Sequence, residues 1–98
     1  MILVTGSIVA RADSLDRLTA LCLEHVRRSR TEPGCLAHAV HHDVENPLRL
    51  VFVEEWSDRA ALAAHFAVPG SLSFVAGVRA LAAEPPQIRV YEAAPVKV

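Results

Sequence analysis

Arg49-Leu50-Val51-Phe52-Val53-Glu54-Glu55-Trp56, followed by Ser57-Asp58, decides the fold. Successive side chains of a strand point to opposite faces. Leu50, Phe52, Glu54 and Trp56 therefore share one face, and Val51, Val53 and Glu55 share the other. Both faces are apolar. An antiparallel sheet with helices on one side and water on the other alternates apolar with polar. This strand does not, so each of its faces needs a cover. Helices of the same chain can cover one, and the sheet of a second copy is the economical cover for the other. The sequence thus predicts a homodimer packed sheet to sheet; the alternative is a monomer that leaves a few valines exposed.

Working outward, Cys35 to Asp43 reads as a preceding strand, with Leu36, His38 and Val40 on one face. Glu45-Asn46-Pro47 reads as the turn that makes the two strands a hairpin. Upstream, residues 2–11 read as a strand. Asp13 is the expected cap of a helix whose stripe is Leu15, Leu18, Cys22 and Val26, widened by Leu21 and His25. Arg27, Arg28 and Arg30 suit the negative end of its dipole, and Glu32-Pro33-Gly34 stops it. Downstream, Ser57 or Asp58 caps an alanine-rich helix over 60–67. Pro69-Gly70 interrupts it, and helical spacing resumes over 71–83 through Phe74, Val75, Val78 and Leu81. Pro85-Pro86 closes that segment, and 87–93 is a last strand. The order β-α-β-β-α-β, with a broken second helix, is α+β and ferredoxin-like, an antiparallel sheet with helices on one side.

Ninety-eight residues make one domain, 1–98, without repeats or linkers. Ten Lys and Arg against eleven Asp and Glu give a net charge of −1, so there is no basic field for nucleic acid or an acidic membrane. No apolar run approaches the roughly 18 residues of a membrane span. Met1-Ile2-Leu3-Val4-Thr5-Gly6 lacks the basic and apolar regions of a signal peptide. Two cysteines, Cys22 and Cys35, are too few for a disulfide framework, so a reducing, cytoplasmic setting with inert thiols is expected.

No phosphate loop, nucleophile elbow or structural-zinc spacing is present. His38, His41, His42 and Asp43 invite a metal reading. On a strand His38 and His42 sit about 13 Å apart and His41 faces the other way, so this strand alone cannot chelate, and no metal is expected. His25 reads as a helix-border histidine. Glu54, flanked by Phe52 and Trp56, is costly to bury without a partner. The second helix, returning across its own sheet, carries His65 toward Glu54 or Trp56. The candidate site is therefore Glu54 with His38 and His65, beside Trp56, Phe52 and Phe74, in an apolar pocket. The aromatics would hold a flat ligand and an imidazole would take its proton. Read structurally instead, Glu54 and His65 are a buried pair that locks helix to sheet.

Glu32-Pro33-Gly34-Cys35-Leu36, Phe52-Val53-Glu54-Glu55-Trp56-Ser57-Asp58, Ala61-Leu62-Ala63-Ala64-His65 and Pro69 together resemble the antibiotic biosynthesis monooxygenase (ABM) domain family. The resemblance covers essentially the whole chain, and the run from Glu54 to His65 is its most specific part. It implies a dimeric α+β barrel with a pocket between sheet and helices in each subunit. It also implies oxidation of an aromatic quinol or polyketide-type phenol by O₂ as co-substrate, without metal, flavin or haem. Trp56 matches the family's pocket aromatic, His65 its helix histidine and Glu54 the acid two residues before the aromatic. Many members carry Tyr where this chain has His38, a stronger base near neutral pH. Haem-degrading relatives use an Asn on the first strand and a His on the last helix. Ser7 and the Phe74-Val75 region do not match that pattern.

Two other functions stay open from sequence. One is isomerisation of a phosphorylated ketone, which needs pocket cations, with Arg49 and Arg79 the candidates. The other is a non-catalytic small-molecule-binding dimer.

Overall fold

The computed structural model describes residues 1–98. Strand β1 (Ile2–Val9) leads into helix α1 (Leu15–Ser29), then the hairpin β2 (Cys35–Asp43) and β3 (Asn46–Trp56). Helices α2 (Arg59–Ala67) and α3 (Pro69–Leu81) follow, and β4 (Gln87–Glu92) closes the chain. The sheet order is β2-β3-β1-β4 with every pair antiparallel. This is the ferredoxin-like α+β architecture expected from the sequence.

Local chemistry explains the elements and corrects several expected boundaries. Ser14, not Asp13, begins α1. Its hydroxyl accepts from Arg11 N–H at 3.1 Å and donates to the Leu81 carbonyl at 2.6 Å, tying α1 to the end of α3. Asp13 instead pairs with Arg11 in solvent. The hairpin turn is Val44-Glu45, and Asn46 and Pro47 already belong to β3. Asp43 accepts from Glu45 N–H at 2.9 Å, so the side chain before the turn supplies the hydrogen bond that tightens it. Asp58 caps α2 as expected, accepting from Ala61 N–H at 2.8 Å. Pro69 does more than interrupt a helix: it is the first residue of α3, where a missing N–H costs nothing.

The register corrects one face assignment. A bulge at Leu36 pairs Cys35 with Trp56 and Ala37 with Glu55. Cys35 thus joins the helix-facing side and Leu36 is left 58% exposed. Beyond the bulge His38 opposes Glu54 and Val40 opposes Phe52, as the alternation requires.

Two apolar clusters lie under the helices. Ile8, Leu18, Cys22, Val26, Leu50, Phe52 and Val78 form the larger, and Ile2, Val4, Trp56 and Leu62 the smaller. Three histidines stand between them. His25 and His38 meet Phe52 edge to face, and His38 and His65 meet Trp56. A polar seam therefore crosses the middle of the core. No single helix is long and apolar enough to cross a membrane.

Candidate active site

Each histidine comes from a different element. His25 lies on α1 in the stripe Leu18, Cys22, His25, Val26 and Ser29, all buried. It is not at a helix border, because β2, α2 and α3 bring His38, His65 and Phe74 around it. Phe74 stacks on its ring at 3.8 Å with 8° between planes. His38 rises from β2 and is completely enclosed. His65 hangs from α2 above Trp56, with ring centroids 4.5 Å apart.

Three charged partners serve the three rings. Glu54 Oε1 lies 3.2 Å from His38 Nε2, too oblique for a good hydrogen bond, and accepts from the Trp56 indole N–H at 3.0 Å. Glu32 Oε1 lies 2.8 Å from His65 Nδ1. Arg28 Nη2 lies 2.6 Å from His25 Nδ1, and its Nε is 3.9 Å from Glu32 Oε2. An arginine can only donate, so it fixes His25 Nδ1 as an acceptor. A carboxylate can only accept, so His65 Nδ1 carries the proton and Nε2 is left with its lone pair.

The electrostatics follow. Burial pushes the His25 imidazole down to about 3, helped by His38, His65 and Arg28 and opposed by Glu54. His25 is therefore neutral at physiological pH. Burial alone would raise the Glu54 carboxyl. The neighbouring His38, the Trp56 N–H and His65 outweigh it and hold that carboxyl below the usual range.

A cavity of about 190 Å³ opens beside this seam. Gly6, Ile8, Phe52, Phe74 and Val78 line its apolar body, and His25, His65, Glu54 and Ser71 supply its polar side. Phe66, Val75 and Ile88, all exposed, contribute to its mouth. A side chain at Gly6 would begin 3.3 Å from the Gln87 carbonyl and 3.8 Å from Phe52 Cβ, so glycine keeps this wall open. The Ser71 hydroxyl lines the cavity, is buried and has no partner within the chain.

The structure brings His65, His38, Glu54, Trp56, Phe52 and Phe74 together. It does not place all of them on the cavity. Phe52, Phe74, His65 and Glu54 reach it. Trp56 is fully buried behind His65, with its N–H spent on Glu54, so the expected stacking of a ligand on Trp56 is corrected. His38 also stands behind the lining. Arg49 pairs with Asp43, and neither Arg49 nor Arg79 lines the cavity. The sequence did not single out Glu32, Ser71 or the placement of His25. In the sequence Glu32 belongs to a helix stop and to a run that carries the family resemblance, with no site role, and its pairing spans 33 residues.

The fold, the pocket between sheet and helices, and the Glu54-to-His65 run define a class of small α+β oxygenase-like domains. The ABM model, antibiotic biosynthesis monooxygenase, matches residues 1–77, and the chain belongs to that family. It superposes on a proposed antibiotic biosynthesis monooxygenase from Deinococcus radiodurans at a TM-score of 0.95 and 26% identity, covering 100% of this chain and 97% of that one. A second crystal structure of an antibiotic biosynthesis monooxygenase gives a TM-score of 0.89 at 32% identity, covering 97% and 100%. The uncharacterized protein sll1783 of Synechocystis sp. is 34% identical over 95% of this chain, which spans only 63% of that protein.

Proposed function

We propose that this chain is a cofactor-independent monooxygenase that oxidises a small phenol or hydroquinone with O₂, with His65 as the base. The observation that carries this reading is the Glu32–His65 pair at the cavity wall. Glu32 holds the Nδ1 proton and leaves Nε2 free, the arrangement of an oriented general base. His65 takes the substrate's hydroxyl proton, and Glu32 stabilises the imidazolium. The electron-rich anion gives one electron to O₂. The resulting radical pair joins through a carbon–oxygen bond to a peroxide. The imidazolium returns its proton to the outer peroxide oxygen. As the O–O bond breaks, the C–H bond of the oxygenated carbon breaks with it, so one oxygen atom stays on the ring as a carbonyl and the other leaves with both hydrogens as water. His25, whose Nδ1 accepts from Arg28, offers its Nε2–H to a substrate oxygen, and Ser71 offers a hydroxyl. The apolar walls keep bulk water from the anion.

Size narrows the substrate. An apolar cavity of about 150 Å³ takes one benzene. At about 190 Å³ this one suits a substituted single ring or a compact pair of fused rings rather than a polycycle. A phosphorylated ketone is disfavoured because no lysine or arginine lines the cavity.

A second copy of the chain completes the reading. Leu3, Val51, Val53, Ala39 and Tyr91 lie on the face of the sheet away from the helices, with Val53 41% and Tyr91 44% exposed. Covering them sheet to sheet is what their chemistry favours.

The test is oxygen uptake by the full chain with menadiol. Turnover in the wild type and loss of about 10²-fold or more in His65→Ala are expected. Unchanged turnover in the variant would remove His65 from the mechanism. Binding of menadiol with no oxygen uptake would make the chain a non-catalytic binding module.

A further inference from the structure

His25, His38 and His65 approach one another as a nearly equilateral triangle. Their ring centroids are 5.4 Å (His25–His38), 5.2 Å (His25–His65) and 5.6 Å (His38–His65) apart. One ring nitrogen from each lies within 4.8 Å of the other two. Three imidazoles sharing one tetrahedral zinc, with bonds of about 2.0–2.1 Å, set their centroids roughly 5 Å apart and their nitrogens roughly 3.4 Å apart. The rings already stand at that spacing. Binding requires the nitrogens to close in from the 4.8 Å limit to that separation by turns about the side-chain torsions.

The surroundings suit a cation as well. Glu32 on His65 Nδ1 is the carboxylate–histidine arrangement that orients metal-bound imidazoles. His38 is fully enclosed, yet neither ring nitrogen makes a good hydrogen bond, so its lone pair is without a donor. Glu54, 3.2 Å from His38 Nε2, places an anionic oxygen beside the triangle. One group opposes loading. Arg28 donates to His25 Nδ1, which puts the proton of the neutral ring on Nε2. Glu32 Oε2 offers an alternative, since it and Arg28 Nε are 3.9 Å apart and both lack a hydrogen bond. When Arg28 turns to Glu32, the His25 proton moves to Nδ1 and Nε2 is freed.

We propose that His25, His38 and His65 bind one divalent cation of the zinc class, with Glu54 or water in the fourth position. Imidazole donors favour zinc, copper and nickel over magnesium or calcium. The site itself is independent of the oxidation chemistry.

The experiment titrates the full chain, free of any affinity tag and stripped with chelator, with ZnCl₂ by calorimetry and with CoCl₂ by visible absorption. One equivalent per chain and the intense bands of four-coordinate cobalt are expected. His65→Gln and His38→Gln each weaken binding by about 100-fold or more, and Glu32→Gln by about 10-fold. The double variant His41→Ala/His42→Ala, exposed on β2, binds as the wild type does. If His38→Gln does not fold, the cobalt spectrum of the wild type and the His65→Gln variant carry the test. No binding at millimolar cation overturns the proposal. So does binding that survives His65→Gln and disappears in His41→Ala/His42→Ala. Cation binding in a protein that consumes no oxygen with menadiol leaves the site standing and overturns only the oxidation reading.

Discussion

Glu32 and His65, 33 residues apart in sequence, meet at 2.8 Å between carboxylate and Nδ1 at the wall of the cavity. The contact converts the stop of one helix and the inner face of another into one chemical unit. If His65 acts through Nε2, then Glu32→Gln keeps the shape and loses the stabilisation of the imidazolium. Turnover with menadiol should fall by about 10-fold or more, less than in His65→Ala, with KM little changed. Steady-state kinetics of the two variants check this. Equal activity in Glu32→Gln and wild type would reduce the pair to a structural contact.

Gly34 holds that unit in place. Its φ is +82°, and a Cβ there would fall 2.5 Å from Ala61 Cβ and 2.7 Å from Ser57 Oγ. Gly34→Ala should therefore cost about 1–3 kcal/mol of stability and disturb the loop carrying Glu32. Urea unfolding measures the first effect and menadiol turnover the second.

Glu54 is buried between His38 and the Trp56 N–H. Removing it leaves the buried Trp56 indole N–H without its acceptor and the His38 imidazole without its neighbouring charge. Glu54→Ala should destabilise by about 3–5 kcal/mol, the scale for breaking a buried pair. A change in unfolding free energy below about 1 kcal/mol would contradict the account of this seam.

Acid should weaken the fold in a defined window. His25 is held near 3 when folded but titrates near 6.5 when unfolded. Between those values the unfolded chain binds the extra proton, so stability declines as pH falls from about 6.5 toward 3. Glu54, whose carboxyl is held below the usual carboxylate range, acts in the same direction at the acid end of that window. Urea unfolding at pH 7.0 and pH 4.5 should differ by more than about 1 kcal/mol, and His25→Phe should flatten the slope. A pH-independent midpoint in the wild type would count against a neutral buried His25.

The outer face of the sheet gives a prediction about assembly. Val53→Asp places a charge in the middle of the exposed apolar set. The wild type should sediment as a dimer at micromolar concentration and the variant as a monomer. A monomeric wild type would remove the second copy from the reading.

Much of this was legible in the sequence, for identifiable reasons. The alternation in Arg49–Trp56 fixed which residues face the helices, and Asp58 announced α2 by its cap. Position on that face, together with the run to His65, was enough to group Glu54, His38 and His65. What escaped was non-local or depended on one-residue geometry. The bulge at Leu36 exchanges Leu36 for Cys35 on the inner face, and nothing in the local pattern marks it. Glu32 was hidden because Glu-Pro-Gly explains itself as a helix end. His25 looked peripheral because its burial comes from three other elements. Trp56 was expected at the ligand because it is large and apolar, but the demand of its N–H for an acceptor turned it toward Glu54.

Oxygen uptake with menadiol, compared between wild type and His65→Ala, tests the central claim most directly. The account predicts stoichiometric consumption of one O₂ per menadiol by the wild type and a fall of about 10²-fold or more in a variant that remains folded. A folded His65→Ala protein that consumes oxygen at the wild-type rate would contradict it.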